Sequence, residues 1–321
     1  MTRCKGILLR LMVGTLVMGG LVSVAAGQDE PATKDTKSSE WMEGLHTQTP
    51  QQPVAEAAPE WEKPIPLTFK TDYTVVSDYI FRGVNFSEFR GEGRERLNHQ
   101  ATAVVEANLG DWGNVGGGAW FEWFAGQQND AFDPNSDSNL QEVDYFVYWN
   151  HGVGETGLTF ETGWIAYTFP QASGDAFYTN EWYMKLSYDD SKLFGTEKAV
   201  LNPYVAYYLD TDDVDGCWME TGISHGFALA DLGMAETPIL KNVTLTPSMV
   251  VGVDKGQFDD GCHLHNIVYG LDVGYDISGA LGMPAKYGSL SLHPFVNFSQ
   301  AINDDVINDE FWGGVKIAYQ W

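Results

Sequence analysis

Phe311-Trp-Gly-Gly-Val-Lys-Ile-Ala-Tyr-Gln-Trp321 is the stretch of sequence that decides the fold. Every second residue from Phe311 onward is apolar or glycine, whereas most residues of the alternate set, from Trp312 to Gln320, are small or polar. Successive side chains of a β-strand point to opposite faces, so this pattern predicts a strand with one apolar and one polar face.

The same alternation recurs along the chain from Leu67. Eleven segments show it, at residues 67–81, 101–109, 115–125, 143–149, 158–166, 182–188, 219–229, 243–253, 269–277, 290–298 and 311–321, and a twelfth candidate strand at residues 200–210 is apolar on both faces, which leaves its register open. These segments predict an all-β fold. Their even number fits a transmembrane antiparallel up-and-down β-barrel of about 12 strands. A soluble β-sandwich or lipocalin-like domain is the alternative, but Trp and Tyr near the strand ends favour the aromatic belts of a membrane barrel.

The aromatic C-terminus resembles the closing strand of bacterial outer-membrane β-barrels. In those proteins a terminal aromatic residue, preceded by alternating apolar residues, is recognised by the barrel assembly machinery. Tyr319 and Trp321 are therefore the predicted assembly signal, and the assembly machinery and outer-membrane lipid are predicted partners.

Composition narrows the possible functions. Aromatic residues make up 13% of the chain, Gly occurs 35 times and the formal net charge is −26. A polyanionic nucleic acid would be repelled by such a charge, so no nucleic-acid partner is expected. After the N-terminal segment no apolar run reaches the roughly 18 residues of a membrane helix.

The N-terminal residues predict export. Residues 1–10 are basic, 11–24 are apolar, and Ala25, Ala26 and Gly27 are small, which is typical of a signal peptide over residues 1–27. A membrane anchor is the alternative. Residues 28–66 are rich in Pro, Gln and Glu and predict a disordered periplasmic linker, so the barrel is expected over residues 67–321 in the cell outer membrane.

The polar faces of the strands carry the residues predicted to line the lumen. These candidates are Lys70, Asp72, Asp78, Arg82, Glu106, Glu122, Glu142, Asp144, Glu161, Glu181 and Lys185. In an open lumen their acidic excess would raise the local concentration of cations. The alternative is that they form a paired network that plugs the barrel.

Acidic connections fall on one side of the predicted barrel. The densest one gives metal-ligand candidates for Ca²⁺ or Mg²⁺, namely Asp210, Asp212, Asp213 and Asp215, whose carboxylate oxygens suit these ions. No other cofactor is expected. A solvated acidic loop, bridged to lipopolysaccharide by divalent ions, is the competing interpretation.

Cysteine and histidine add two further candidates. Cys217 and Cys262 lie near the outer ends of predicted strands and could form a disulfide in an oxidising compartment. A metal site from Cys262, His263 and His265 is the alternative, although the spacing matches no familiar zinc pattern. No base and nucleophile share one strand face, so no enzyme is predicted.

Residues Ser77-Asp-Tyr-Ile-Phe-Arg-Gly-Val-Asn-Phe-Ser87 resemble the opening strand of the Gcw_chp or TorF-like family of bacterial outer-membrane proteins. The matching positions are Ser77, Asp78, Tyr79, Phe81, Arg82 and Gly83. The resemblance implies a signal peptide, an outer-membrane barrel and a transport role, and it supplies no catalytic residue. On one continuous strand Asp78 and Arg82 would be too far apart to pair, and Glu106 or Glu122 is the expected partner of Arg82.

Two functions follow from these patterns. One is a small porin or channel that passes small polar or cationic solutes with a preference for cations. The other is a closed structural or surface-interaction barrel that binds divalent cations, lipopolysaccharide or a partner through acidic extracellular loops.

Overall fold

The computed structural model describes residues 67–87, 97–124, 140–170 and 178–321. The predicted signal peptide and linker, residues 1–66, lie outside the described residues. Twelve long strands are present in the described ranges: β1 Leu67–Val76, β2 Asn98–Asn108, β3 Asn114–Phe124, β4 Leu140–Gly152, β5 Leu158–Thr168, β6 Tyr178–Tyr188, β7 Tyr204–Asp210, β8 Cys217–Ser224, β9 Val243–Lys255, β10 His263–Asp276, β11 Ser289–Ala301 and β12 Glu310–Gln320.

These twelve strands form a closed antiparallel barrel. Each strand pairs with its neighbours in sequence, β8 pairs with β9, and β1 pairs with β12 in the register Tyr73 opposite Ile317. Closure leaves none of the twelve strands with a free edge, which is the condition for a β-sheet to cross a bilayer. The predicted 12-stranded up-and-down barrel is confirmed.

The two faces of the wall differ as the sequence alternation predicts. On β4, Tyr145 and Val147 are 52% and 57% exposed on the outside, whereas Phe146 and Tyr148 are 3% and 4% exposed on the inside. The outer face of β12 is likewise apolar and exposed. A closed barrel with an apolar exterior is the outer-membrane type, and the protein resides in the outer membrane.

Two strands end earlier than the sequence predicts. β1 ends at Val76 instead of continuing to Phe81, because the chain leaves the wall at Ser77. β8 ends at Ser224, and only the two-residue strand Phe227–Ala228 resumes pairing, against β9. On the other side of β8, β7 begins only at Tyr204, after residues that do not pair as a strand.

Short helices occupy the connections at one end of the barrel. We call the end that carries Leu67 and Trp321 the terminal end and the opposite one the far end. The terminal end contains α1 Ser191–Phe194, α2 Ile277–Leu281, the 3-10 turns Gly110–Trp112, Leu240–Asn242 and Ala285–Tyr287, and a π-type turn at Ala230–Met234. Within the described ranges, no helix is long and apolar enough to span a membrane.

Inward-facing glycines let aromatic rings lie flat against the wall. Gly116 of β3 faces Tyr148 of β4, and a Cβ at Gly116 would lie 2.2 Å from the Tyr148 ring. Gly118 faces Phe146 in the same way, and its Cβ would also lie 2.1 Å from the carbonyl oxygen of Ala103. Large rings therefore cover neighbouring strands and fill much of the lumen.

Candidate functional site: a hairpin folded into the lumen

Residues Ser77–Ser87 form a hairpin inside the barrel, and we call this segment the inward hairpin. Its departure from the wall is tied to β12, because the Ser77 N–H donates to the Gly313 carbonyl at 2.9 Å and the Gly313 N–H donates to Ser77 Oγ at 3.1 Å. Ile80 pairs with Asn85 and Phe81 pairs with Val84. The segment that resembles an opening strand thus does not continue the wall.

The tip of the inward hairpin is the two-residue turn Arg82-Gly83. Both residues have positive φ, 53° and 87°, the combination of a type I′ hairpin turn. Glycine fits at position 83 because the space beside its Cα is already filled. A Cβ there would lie 2.9 Å from side-chain atoms of both Asn266 and Ile307. Arg82 has a Cβ, so its left-handed backbone costs on the order of 1–3 kcal/mol that other contacts must offset.

The Arg82 side chain makes those contacts. Its guanidinium donates two hydrogen bonds to the Glu181 carboxylate, at 2.6 and 2.8 Å, and a third to Gln257 Oε1 at 2.6 Å. Glu181 also accepts from the Tyr167 hydroxyl at 2.8 Å and from Gln257 Nε2 at 2.6 Å. Both charged groups are almost completely buried, so the ion pair is bidentate and shielded from water.

Three aromatic rings surround the same guanidinium. Arg82 Cζ lies 4.7 Å from the centroid of Phe81, 4.9 Å from that of Tyr208 and 5.4 Å from that of Trp218. Such distances allow cation–π attraction, which is stronger where water is excluded. We call Glu181, Tyr167, Tyr208, Trp218 and Gln257 the guanidinium cage.

The inward hairpin contacts opposite sides of the lumen. The Tyr79 ring lies 5.4 Å from the ring of Trp120 on β3, within a large buried aromatic cluster. Ile80 packs in a second buried cluster with Val250 of β9 and Phe295 of β11. The hairpin therefore bridges two walls and occludes the lumen at this level.

The structure pairs several of the predicted lumen residues on the wall itself. Glu106 accepts from the Tyr148 hydroxyl at 2.8 Å and lies 3.9 Å from Lys70 Nζ. Glu161 accepts from the Tyr183 hydroxyl at 2.8 Å. Two further charged residues on these faces are also buried, Asp72 and Lys185.

Glu122 has a different environment. It is fully buried on β3, opposite Gln100 of β2 and Glu142 of β4. Neither of its carboxylate oxygens has a hydrogen-bond partner among the described residues, and neither has the side-chain oxygen of Gln100. Asp144, on the next inward position of β4 from Glu142, is also fully buried.

The expected partners of Arg82 are wrong. Arg82 binds Glu181, which lies 99 residues away, and binds neither Glu106 nor Glu122. Nor do Asp78 and Arg82 share a strand, since β1 ends at Val76. The sequence signal that was missed is Gly83 directly after Arg82, since glycine in a short segment marks a tight turn.

In the acidic loop at residues 210–215, one carboxylate accepts hydrogen bonds from the backbone N–H groups of the same loop. Asp210 Oδ1 accepts the backbone N–H groups of Asp212, Val214 and Asp215 at 2.9, 3.2 and 3.3 Å. Asn180 donates to Asp212 at 2.8 Å. Within the part of the chain that the structure describes, no group of three or more His, Cys, Asp or Glu residues is placed to hold a metal ion.

The suggested disulfide between Cys217 and Cys262 does not form, because Cys217 is a buried free thiol. Its β8 position pairs with Lys255 of β9, while Asp254 of β9 pairs with His263 on the other side. One strand therefore separates the two cysteines, and two strand spacings of about 4.8 Å exceed the usual Cα separation of a disulfide.

The two histidines beside Cys262 have unlike surroundings. His263 is partly exposed, and its Nε2 lies 3.5 Å from Asp259 Oδ2. His265 is fully buried, its ring 5.4 Å from the rings of both Trp218 and Phe258. The two side chains are not gathered into one ligand set.

The C-terminal aromatic residues lie on the closing seam of the barrel. Trp321 exchanges two backbone hydrogen bonds with Phe69, at 2.8 and 2.9 Å, and its indole donates to the Lys286 carbonyl at 3.0 Å. The Tyr319 hydroxyl donates to the Tyr287 carbonyl at 2.9 Å. Their predicted role in assembly stays a prediction.

No protein-family model matches the sequence, and no curated protein matches it significantly. Among solved structures, an outer membrane channel from Pseudomonas putida F1 is similar at 7% identity and a TM-score of 0.43, over 83% of this chain and 100% of that one. The KdgM porin matches at 10% identity and 0.38, over 78% and 98% of the two chains. Outer membrane phospholipase A from Escherichia coli matches at 12% and 0.37, over 78% and 92%.

These TM-scores are low, so the assignment of the fold rests on the strand pairing of this chain alone. That pairing and the inward hairpin define an outer-membrane β-barrel whose lumen is occluded by a segment of its own chain.

Proposed function

We propose that the protein is an outer-membrane channel for small polar solutes, closed in this conformation by the inward hairpin. The observation that carries the proposal is that the element crossing the lumen is not part of the wall. It is an eleven-residue segment, Ser77–Ser87, fastened at its tip by the ion pair of Arg82 with Glu181. Loss of this attachment would release the tip of the segment from the wall.

The charges on the inner wall support a preference for cations. Carboxylates outnumber ammonium groups among the buried inward side chains of the strands. Glu122 and Glu142 add two buried carboxyl groups to this excess, at facing positions of β3 and β4. A negative lumen with low-dielectric walls attracts cations and repels anions.

The test is planar-bilayer conductance of the refolded protein, with the reversal potential measured in a KCl gradient. Arg82→Asn removes the guanidinium but keeps a residue that tolerates positive φ before Gly83. We expect the wild type to conduct rarely, and Arg82→Asn to conduct for longer with a reversal potential that indicates cations. Asp231→Asn, at the exposed terminal end, is the control and should behave as wild type.

If Arg82→Asn does not conduct although heat-modifiable gel migration shows that its barrel is folded, the proposal of a channel is refuted. The closed structural or surface-interaction barrel would then be the better proposal. It is favoured by the four hydrogen bonds that Glu181 accepts, which suit a permanent attachment. Its acidic loops would bind divalent cations or lipopolysaccharide, which stays a prediction.

We propose no catalytic role. His225 follows Ser224 directly, and its Nδ1 lies 2.7 Å from the carbonyl oxygen of Val200, which occupies that ring nitrogen in a local contact. Among the described residues no hydrogen bond joins the Ser224 hydroxyl to the His225 ring, whereas covalent catalysis requires a nucleophile within hydrogen-bond reach of its base.

A further inference from the structure

We infer that the guanidinium cage is a recognition site for guanidinium-bearing solutes, and that Arg82 occupies it as a resident substitute for the solute. This inference deepens the proposed function, on which it rests, by naming the chemical class of one solute. The argument depends on the shape of the cage, on which elements build it and on the strain of its present occupant.

The shape of the cage fits a flat, forked cation. Glu181 meets Arg82 with both carboxylate oxygens, at 2.6 and 2.8 Å, in the bidentate geometry specific to guanidinium. The rings of Tyr208 and Trp218 lie 4.9 and 5.4 Å from Cζ and provide the aromatic faces that such a plane stacks against. An ammonium group has one charge centre and no fork, so it matches this arrangement less well.

The cage belongs mainly to the wall of the barrel. Tyr167, Glu181, Tyr208 and Trp218 lie on the four consecutive strands β5, β6, β7 and β8. Each of these strands is paired on both sides, so the backbone that carries the four side chains stays in place when the inward hairpin moves, and the hydrogen bond from Tyr167 to Glu181 lies within the wall. The site is therefore preformed, and preformed sites bind without the cost of ordering their parts.

The present occupant is under strain. Arg82 holds a φ of 53°, which a residue with a Cβ adopts at a cost, whereas a free solute enters the cage with no backbone to strain. The advantage of Arg82 is its high effective concentration, since it is attached to the wall through Ser77. A solute at sufficient concentration would compete for Glu181 and release the inward hairpin, so that recognition and opening are coupled.

The test measures binding apart from conductance. Detergent-solubilised, folded Arg82→Asn is titrated by calorimetry with ethylguanidinium chloride and, as the matched probe, with ethylammonium chloride. We expect ethylguanidinium to bind at least about tenfold more tightly than ethylammonium. We also expect wild type to bind ethylguanidinium at least about tenfold more weakly than Arg82→Asn, because its cage is already occupied.

Two further variants make the result specific to the cage. Arg82→Gly also vacates the site and keeps positive φ accessible, so it replaces Arg82→Asn if that variant does not fold. The double variant Arg82→Asn/Glu181→Gln keeps the space but removes the carboxylate, and it should lose the preference for ethylguanidinium.

Equal binding of the two probes, or no binding by a folded vacated barrel, would overturn the inference and leave Arg82 as a structural attachment of the hairpin. Bilayer recordings separate this failure from that of the channel. Binding without conductance in Arg82→Asn would keep the recognition site and refute the channel. Conductance without selective binding would keep the channel and refute the recognition site.

Discussion

Glu181 and Glu122 are two buried carboxylates on the inner wall of one barrel, and their surroundings are opposite. Glu181, on β6, accepts four hydrogen bonds, two of them from Arg82. Glu122, on β3, is buried as deeply and accepts none from the described residues. The tip of the inward hairpin reaches Glu181 and stabilises it, whereas no described residue donates to Glu122.

The largest effect on the free energy of unfolding is expected when the Glu181 carboxylate is removed. Glu181→Gln leaves the Arg82 guanidinium buried without its counter-charge, which costs about 3–5 kcal/mol of the free energy of unfolding. Urea denaturation of the refolded protein in detergent micelles measures it. The double variant Arg82→Asn/Glu181→Gln should recover most of the loss, because it leaves no buried charge unpaired. An unchanged urea midpoint for Glu181→Gln would show that the ion pair does not hold the hairpin.

A smaller effect of opposite sign is expected at Glu122. Glu122→Gln replaces a buried carboxyl whose oxygens have no hydrogen-bond partner among the described residues and offers N–H donors to Glu142 and Gln100, so it should raise the free energy of unfolding by about 1–3 kcal/mol. Glu220→Gln is the matched control, since Glu220 already accepts from Tyr204 at 3.1 Å, and no gain is expected there. A loss of stability in Glu122→Gln would mean that the carboxylate has a stabilising partner.

The smallest effect is expected for an exposed ion pair. Lys198 Nζ lies 3.4 Å from Asp231 Oδ2, and both side chains are about two-thirds exposed, at 65% and 69%. Lys198→Ala should change the free energy of unfolding by less than about 0.5 kcal/mol, because water and salt screen such pairs. The same urea titration measures it, and a change near that of Glu181→Gln would contradict the role assigned to burial.

Much of the wall was predictable because its signal is local. The alternation at residues 143–149 places Tyr145 and Val147 outside, and the structure does the same. The prediction failed at Ser77, where the alternation runs on into Tyr79 and Phe81 although the chain has left the wall. Period two marks an extended backbone, and the inward hairpin is also extended, so the pattern does not distinguish the wall from a strand inside it.

The candidate site was predictable only in its parts. Arg82 and Glu181 were both expected to face inward, yet the partner expected for Arg82 was wrong. Strand pairing is local, so neighbours such as Glu106 and Glu122 are the natural guesses from sequence. A contact across the lumen depends on how far the hairpin reaches and in which direction its tip points. Gln257, which completes the cage, lies in the loop between β9 and β10, and the sequence of that loop has no periodic pattern.

The sequence by itself determined a twelve-stranded barrel, its apolar exterior and the acidic character of its interior, because each depends on the two-residue period of single strands. Only the tertiary structure decided that Ser77–Ser87 leaves the wall, that Arg82 meets Glu181 within an aromatic cage, and that Glu122 has no donor among the described residues. The physical reason is that closure of the barrel brings together residues 99 positions apart, and a local sequence pattern does not predict which distant residues will meet.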